Sequence, residues 1–324
     1  MIATVVRAAG APGPTLVVES SGLPPEALAS REELSALRAA LARTGHDRLA
    51  KIALYGPSRT PGRDLDYRFV QALPDGGFDF RTGCGHSLLA CVAAAGARSE
   101  VSVRAVTTGD HVLCTPEQPQ QPQQSQQPQA PGQPEEPAGA SGPGTDRSYT
   151  LHFLGPPDAP GVLPTGRAVD LLDGVPASLV RYGNPYVFVD AHHLGLHGRD
   201  ELFAAGAPAL GRLLALRAHA ARALGHPPHS ALPKIAAVVR STTGTAVRAL
   251  TVDGWHPSLA LTGATALAAA SVLPGTVVGP LTGAVDTPGG PVTVCASPDR
   301  ISVRHKRATV LGRLELPWRV HATA

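Results

Sequence analysis

The chain has 324 residues, with 28 basic and 25 acidic side chains and a formal net charge of +3. That length suits two domains at roughly 150 residues each. Gly (35) and Pro (32) make about a fifth of it, short of the ~25–30% that marks a disordered chain. With charge this balanced and no dense Lys/Arg cluster, nucleic acid is not an expected partner.

Residues 27–43 repeat Leu28, Leu34, Leu37 and Leu41 at helical spacing, with Glu32 and Glu33 early and Arg38 and Arg43 late. This predicts a surface helix whose charges suit its dipole. Residues 51–55 and 65–72 have the pattern of strands. Residues 83–96 form a short, nearly all-apolar helix bounded by glycine turns. Strand-like runs at 101–114 and 148–154 flank residues 116–146, where nine Gln and eight Pro fall among 31 residues with no hydrophobic period. Such a segment has too little apolar surface to offset chain entropy, so a disordered insert in a hairpin loop is expected.

The second half has a similar grammar. Residues 177–189 are strand-rich, 201–224 predict one amphipathic helix with Arg212, Arg217 and Arg222 on its wet side, and 234–239 and 246–252 are further strands. Residues 262–272 form a second Ala-rich apolar helix, opened by Thr262-Gly263, and strands at 292–296, 301–303 and 309–316 end the chain. Each half thus holds one small-residue helix introduced by a glycine-containing turn. We expect a first half over 1–165, carrying the insert, and a second over 166–324 whose last strand returns to the first.

The four cysteines (Cys84, Cys91, Cys114, Cys295) form no C-x-x-C pair, and the 13 histidines show no zinc-type spacing, so no metal is expected. The first ten residues lack the charged start and apolar run of a signal peptide, and no apolar stretch reaches ~18 residues. A reducing, cytoplasmic setting with free thiols and no membrane contact is the reading. Gly83-Cys84-Gly85-His86-Ser87 is the most informative segment. A cysteine at a helix N-terminus faces unpaired amides and the positive dipole end, which favour a thiolate and can bind a carboxylate; a buried structural cysteine is the other reading. His86 is either a polar cap or a substrate contact. Lys51 and Lys234 each begin an apolar strand, as a desolvated base or as a solvated strand end. Asn184, before Pro185, and His256, before Pro257, fit turns or a binding site.

The order of these segments resembles the 2-methylaconitate cis-trans isomerase (PrpF) family, from about Lys51 to the C-terminus apart from the insert. The similar stretches include Leu65-Asp66-Tyr67, Gly83-Cys84-Gly85-His86, Leu163-Pro164-Thr165-Gly166, Gly183-Asn184-Pro185, Pro233-Lys234-Ile235-Ala236, His256 and Leu273-Pro274-Gly275. The resemblance implies a diaminopimelate epimerase-like α+β fold. It has two pseudo-symmetric halves, each a curved sheet around a central helix, with the site in the cleft between them. It also implies cofactor-independent movement of a proton in a small unsaturated carboxylic acid, with Lys51 and Cys84 catalytic. Arg7, Gly85, His86, Ser87, Asn184, Lys234, His256, Thr262 and Gly263 are the candidate substrate-binding residues, and a homodimer is compatible with this reading.

Three departures stand out. The family's N-terminal hydroxyl and lysine donors are absent around Arg7, its hydroxyl-rich stretch is replaced by residues 45–50, and His86 stands where the family has Asn. An amino-acid racemase or epimerase, which needs opposed thiols, competes with the isomerase reading, as does a non-catalytic binding protein on the same scaffold.

Overall fold

The computed structural model describes residues 2–20, 23, 27–118, 147–227, 230–251 and 254–316. Most of the Gln/Pro-rich insert lies outside them, as does Val252, the end of the strand expected at 246–252.

The first sheet takes β1 (Ile2–Ala8), β2 (Thr15–Glu19), β3 (Lys51–Pro57), β4 (Leu65–Ala72), β5 (Phe78–Asp79), β6 (Val101–Ala105), β7 (His111–Pro116) and β8 (Ser148–Leu154). The second takes β9 (Asp170–Leu172), β10 (Val175–Tyr182), β11 (Asn184–Asp190), β12 (Lys234–Ser241), β13 (Gly244–Thr251), β14 (Gly254–Trp255) and β15 (Val285–Asp286). The chain then returns to the first sheet with β16 (Val294–Ser297) and β17 (Arg300–Glu315). β17 pairs with β8 through its first half and with β1 through its second, so the ring β1-β2-β3-β4-β6-β7-β8-β17 closes on itself. Closure leaves those strands no open edge between them.

Two helices fill the sheets. α2 (Gly85–Ala94) has every residue from Gly85 to Val92 buried, and α5 (Leu261–Val272) every residue from Leu261 to Ala270. A helix that is apolar all round is stable only when surrounded. One continuous core joins Leu88, Leu89 and Val92 of α2 to Ala264, Leu267 and Ala268 of α5. Outside the sheets, α1 (Arg31–Arg43) covers the first through Leu34, Leu37 and Leu41. α3 (Arg199–Ala204) and α4 (Ala207–Ala223) cover the second. This is the α+β architecture expected, with the site's cleft between the halves.

Two expectations need correction. The single helix over 201–224 is two helices, broken at Ala205-Gly206, because Pro208 sits in the first turn of α4, where a proline can start a helix but not continue one. The separate strands at 301–303 and 309–316 are one strand, β17, carried through a register shift by His305 at φ 57. Among the described residues no helix is long and apolar enough to cross a membrane.

β7 and β8 pair antiparallel up to Pro116 and Tyr149, so the ends of the insert are held side by side. Because loop length enters stability only logarithmically, replacing 119–146 by a Gly/Ser turn of about four residues should raise unfolding free energy by no more than about 2 kcal/mol. Urea denaturation checks this, and a loss of stability instead would show that the insert packs on the body.

Candidate active site

The N-termini of α2 and α5 meet. A Cβ built on Gly85 would lie 2.5 Å from the Cβ of Leu261, so only glycine allows this approach. Asn184 locks the junction. Its Oδ1 accepts from the Gly83 N–H at 2.8 Å, while its Nδ2 donates to the Gly83 carbonyl at 2.8 Å and to Thr262 Oγ1 at 3.4 Å. One side chain, 1% exposed, thus fixes the turn before α2 and ties it to α5.

Beside this junction lies a cavity of about 390 Å³. Four backbone N–H groups border it without a protein partner among the described residues: those of Gly85, His86, Leu261 and Thr262. The next amides, of Ser87 and Gly263, are already bonded to the carbonyls of Cys84 and Ala260. Cys84 is the N-cap residue of α2, and its sulfur makes no capping bond to the amides. Two helix N-termini that border one cavity with unpaired amides are the arrangement that favours negative charge there.

Two lysines reach the same cavity, one from each half. Lys51 begins β3, which runs parallel to β2, and Lys234 begins β12, which runs parallel to β11. Alternation sets their direction. Ala53 and Ala236, two residues on, face the shared core, while Ile52 and Ile235 face the outer helices. Burial, with repulsion from Arg217, pulls the Lys234 ammonium down to about 8. Arg217 is half-buried rather than on the wet side of its helix, and its own pKa is lowered by burial.

Two histidines of the cavity are held away from their charged forms. His86 and His256 stack with centroids 6.1 Å apart, and burial, mutual repulsion and the nearby lysines hold His86 well below its usual range. Burial and Lys51 pull His256 down to about 4. His256 Nδ1 accepts from the Ser258 N–H at 3.0 Å, so its proton sits on Nε2.

Comparison with known proteins gives this geometry a family. The family model described as PrpF protein matches residues 40–310. The chain belongs to the PrpF family. The Escherichia coli (strain K12) protein YbhH is 28% identical over 255 residues, covering 72% of this chain and 69% of that one. The (4E)-oxalomesaconate Δ-isomerase of Novosphingobium sp. (strain KA1) is 27% identical over 248 residues, covering 70% and 66%. Among solved structures, a methylitaconate Δ-isomerase superposes with a TM-score of 0.63 at 22% identity, covering 97% of this chain and 95% of that one. A hydroxyproline epimerase from Agrobacterium vitis gives 0.54 at 15% identity, covering 99% and 93%. These structures share the fold. The protein is an isomerase with a small-molecule substrate.

Against this PrpF frame, Lys51, Cys84, Gly85, His86, Asn184, Lys234, His256 and Thr262 all line the cavity, and three candidates do not. Arg7 is exposed on the outer face of β1, since Val6 and Ala8 take the inner positions. Ser87 is fully buried beneath Cys84, with its hydroxyl bonded to the sulfur. Gly263 spends its N–H inside the helix, and its bare Cα makes room for Tyr186, whose ring would lie 2.7 Å from a Cβ there. The free α5 donors are those of Leu261 and Thr262 instead.

Sequence reasoning missed Arg38, Asp47, Arg48 and Gln71 on the cavity wall. Gln71 carried a usable signal, as the polar inward residue paired with Lys51 in the β3–β4 hairpin. Among the described residues no group of three or more His, Cys, Asp or Glu side chains could hold a metal ion. Away from the candidate residues, His226 has its Nε2 buried without a partner.

Asn184→Leu should orphan the Gly83 amide and carbonyl and loosen the junction, a loss of about 1–3 kcal/mol for each buried group left unpaired. Urea denaturation should show a lower midpoint with an unchanged slope. Wild-type stability would mean that Asn184 does not hold the two halves together.

Proposed function

We propose that Lys51 and Cys84 are the proton carriers of a 1,3-proton shift in an unsaturated carboxylic acid. One removes a proton from the carbon next to the conjugated system. The electron pair spreads over the dienolate, and the other returns a proton at the far carbon, so the double bond moves with no redox change. The observation that carries this reading is the shared cavity, where both groups border four unpaired amides able to hold the dienolate oxygen. The named activity of the Novosphingobium relative is a double-bond shift of this class.

The substrate's carboxylate is held by the amides and by Lys234, with half-buried Arg38 and exposed Arg48, which also line the cavity, supplying a second positive region. This relocates the positive charge from Arg7 to residues that line the cavity. The racemase alternative would place a second thiol at the start of α5, but the N-cap there is Ala260, and Cys295 lies exposed on β16. Four free cysteines fit a reducing, cytoplasmic setting.

Incubation with mesaconate-, itaconate- and aconitate-type acids in deuterated water tests the reading. Deuterium should enter at an allylic carbon. Lys51→Met should slow exchange by ~10²- to 10⁴-fold, the usual worth of a general acid or base, with circular dichroism unchanged. Cys84→Ser should cut exchange comparably if the sulfur carries a proton, and only modestly if it lines the anion site. Near-wild-type exchange in Lys51→Met would remove the assignment.

Carboxylate binding should also depend on pH with a defined sign. Lys234 is charged below about 8 and neutral above it, so calorimetric affinity for a bound acid should fall as pH rises from 7 to 9. Lys234→Met should bind weakly at both and lose that step. An unchanged pH dependence in the variant would mean that Lys234 is not a carboxylate partner.

A further inference from the structure

Three hydroxyl groups gather under Cys84. Ser87, on the first turn of α2 and 0% exposed, donates its hydroxyl to Cys84 Sγ at 3.2 Å. Thr15 Oγ1 lies 2.9 Å from Ser87 Oγ, and Tyr67 donates to the Cys84 carbonyl at 2.9 Å. Thr15 is itself 3% exposed and stands in register with Lys51 across the parallel β2–β3 pair. Val17 and Ala53, two residues on, both face the core that holds α2, so Thr15 and Lys51 lie side by side on the inner face.

We propose that Thr15 and Ser87 form a two-hydroxyl relay that orients the Cys84 sulfur and reverses its hydrogen bonds as that sulfur gains or loses a proton. Each hydroxyl has one proton to give and lone pairs to accept with. With a thiolate, Thr15 donates to Ser87 and Ser87 donates to the sulfur. With a thiol, the S–H donates to Ser87 and Ser87 donates to Thr15. The two states differ by rotation of two hydroxyl hydrogens, with no heavy atom moved and no bond to oxygen broken. Tyr67 holds the carbonyl of the same residue throughout, so the sulfur's position does not change with its charge.

Ser87 and Thr15 are therefore positioning residues that act through Cys84. This rests on the reading of Cys84 as the reactive thiol of the site, but the test reads the thiol and not turnover. The rate of iodoacetamide modification of Cys84, followed by peptide mass mapping across the pH range where thiols titrate, is compared among full-length variants. Exposed Cys295 in the same sample is the internal reference. Ser87→Ala should slow modification of Cys84 at pH 7 by roughly three- to tenfold and move the midpoint of its pH profile upward, since a thiolate loses its charge-assisted donor. The near-isosteric Thr15→Val should act in the same direction by less, since Ser87 loses the donor that strengthens its bond to the thiolate. Thr15→Ser, which keeps the hydroxyl, should retain the wild-type profile, and the Cys295 profile should not move.

An unchanged Cys84 midpoint in both hydroxyl-free variants would overturn the relay. So would Thr15→Ser behaving like Thr15→Val, because shape and not the hydroxyl would then be what matters. If Ser87→Ala does not fold, the Thr15 pair alone decides. Failure of the isomerase reading would show instead as no deuterium exchange with any acid while these thiol profiles still differ.

Discussion

The close meeting of two helix N-termini is the constraint on which the rest of this structure depends. At Gly85 and Leu261 the positive ends of α2 and α5 are pushed together, an arrangement that electrostatics opposes unless negative charge sits between them. It also leaves four amides, those of Gly85, His86, Leu261 and Thr262, with no partner in either helix. Packing apolar side chains over such donors would cost about 1–3 kcal/mol each, so the junction must border an open polar cavity and not a closed core. The cavity beside these amides is thus a consequence of the topology. Asn184 makes the arrangement persist, because it satisfies both polar groups of Gly83 and reaches Thr262 across the junction.

Around those amides, burial decides which side chains are charged. Imidazoles next to lysines in a desolvated cluster lose their protons, and His86 and His256 are held neutral in this way. His86 therefore contributes shape, with its Nε2 buried and unpartnered, His256 adds a bond from the Ser258 amide, and the cationic role falls to the lysines. Lys234 is held near the boundary of its charged range, as is Lys306, a buried lysine of β17 also pulled down to about 8 by desolvation. A negative ligand reverses part of that penalty for Lys234, so its charge and carboxylate binding reinforce one another.

Much of this was legible in the sequence, for reasons that differ by residue. The two central helices announced themselves because helices buried on all sides must be short, small and apolar, and β4 was bounded correctly because turn-forming residues flank it, Pro61-Gly62 before and Pro74-Asp75-Gly76 after. Lys51 and Lys234 were identifiable as strand starts, and β alternation then aims them inward. What the sequence did not carry is the outcome of close packing. Nothing in Gly83-Cys84-Gly85-His86-Ser87 distinguishes Ser87, which turns under the sulfur, from His86, which faces the cavity; a 100° step around one helix separates them. Nor does Thr262-Gly263 reveal that the glycine serves Tyr186, a contact made across a whole strand. Arg7 looked like a binding residue by its motif, but strand parity places it outside.

The departure from symmetry is as informative as the symmetry. Both halves offer a parallel strand pair that begins with an inward residue beside a lysine, Thr15 with Lys51 and Tyr186 with Lys234. They diverge at the helix start, where the first half has Cys84 over a bed of hydroxyls and the second has Ala260, with the ring of Tyr186 packed against Gly263. Inverting a single carbon requires proton carriers on its two opposite faces, which a symmetric pair of thiols supplies. Moving a proton between two carbons of one conjugated system requires carriers placed along the substrate, which need not match in chemistry. A scaffold with a lysine and free amides from each half but a thiol at only one of the two helix starts is therefore suited to the second task.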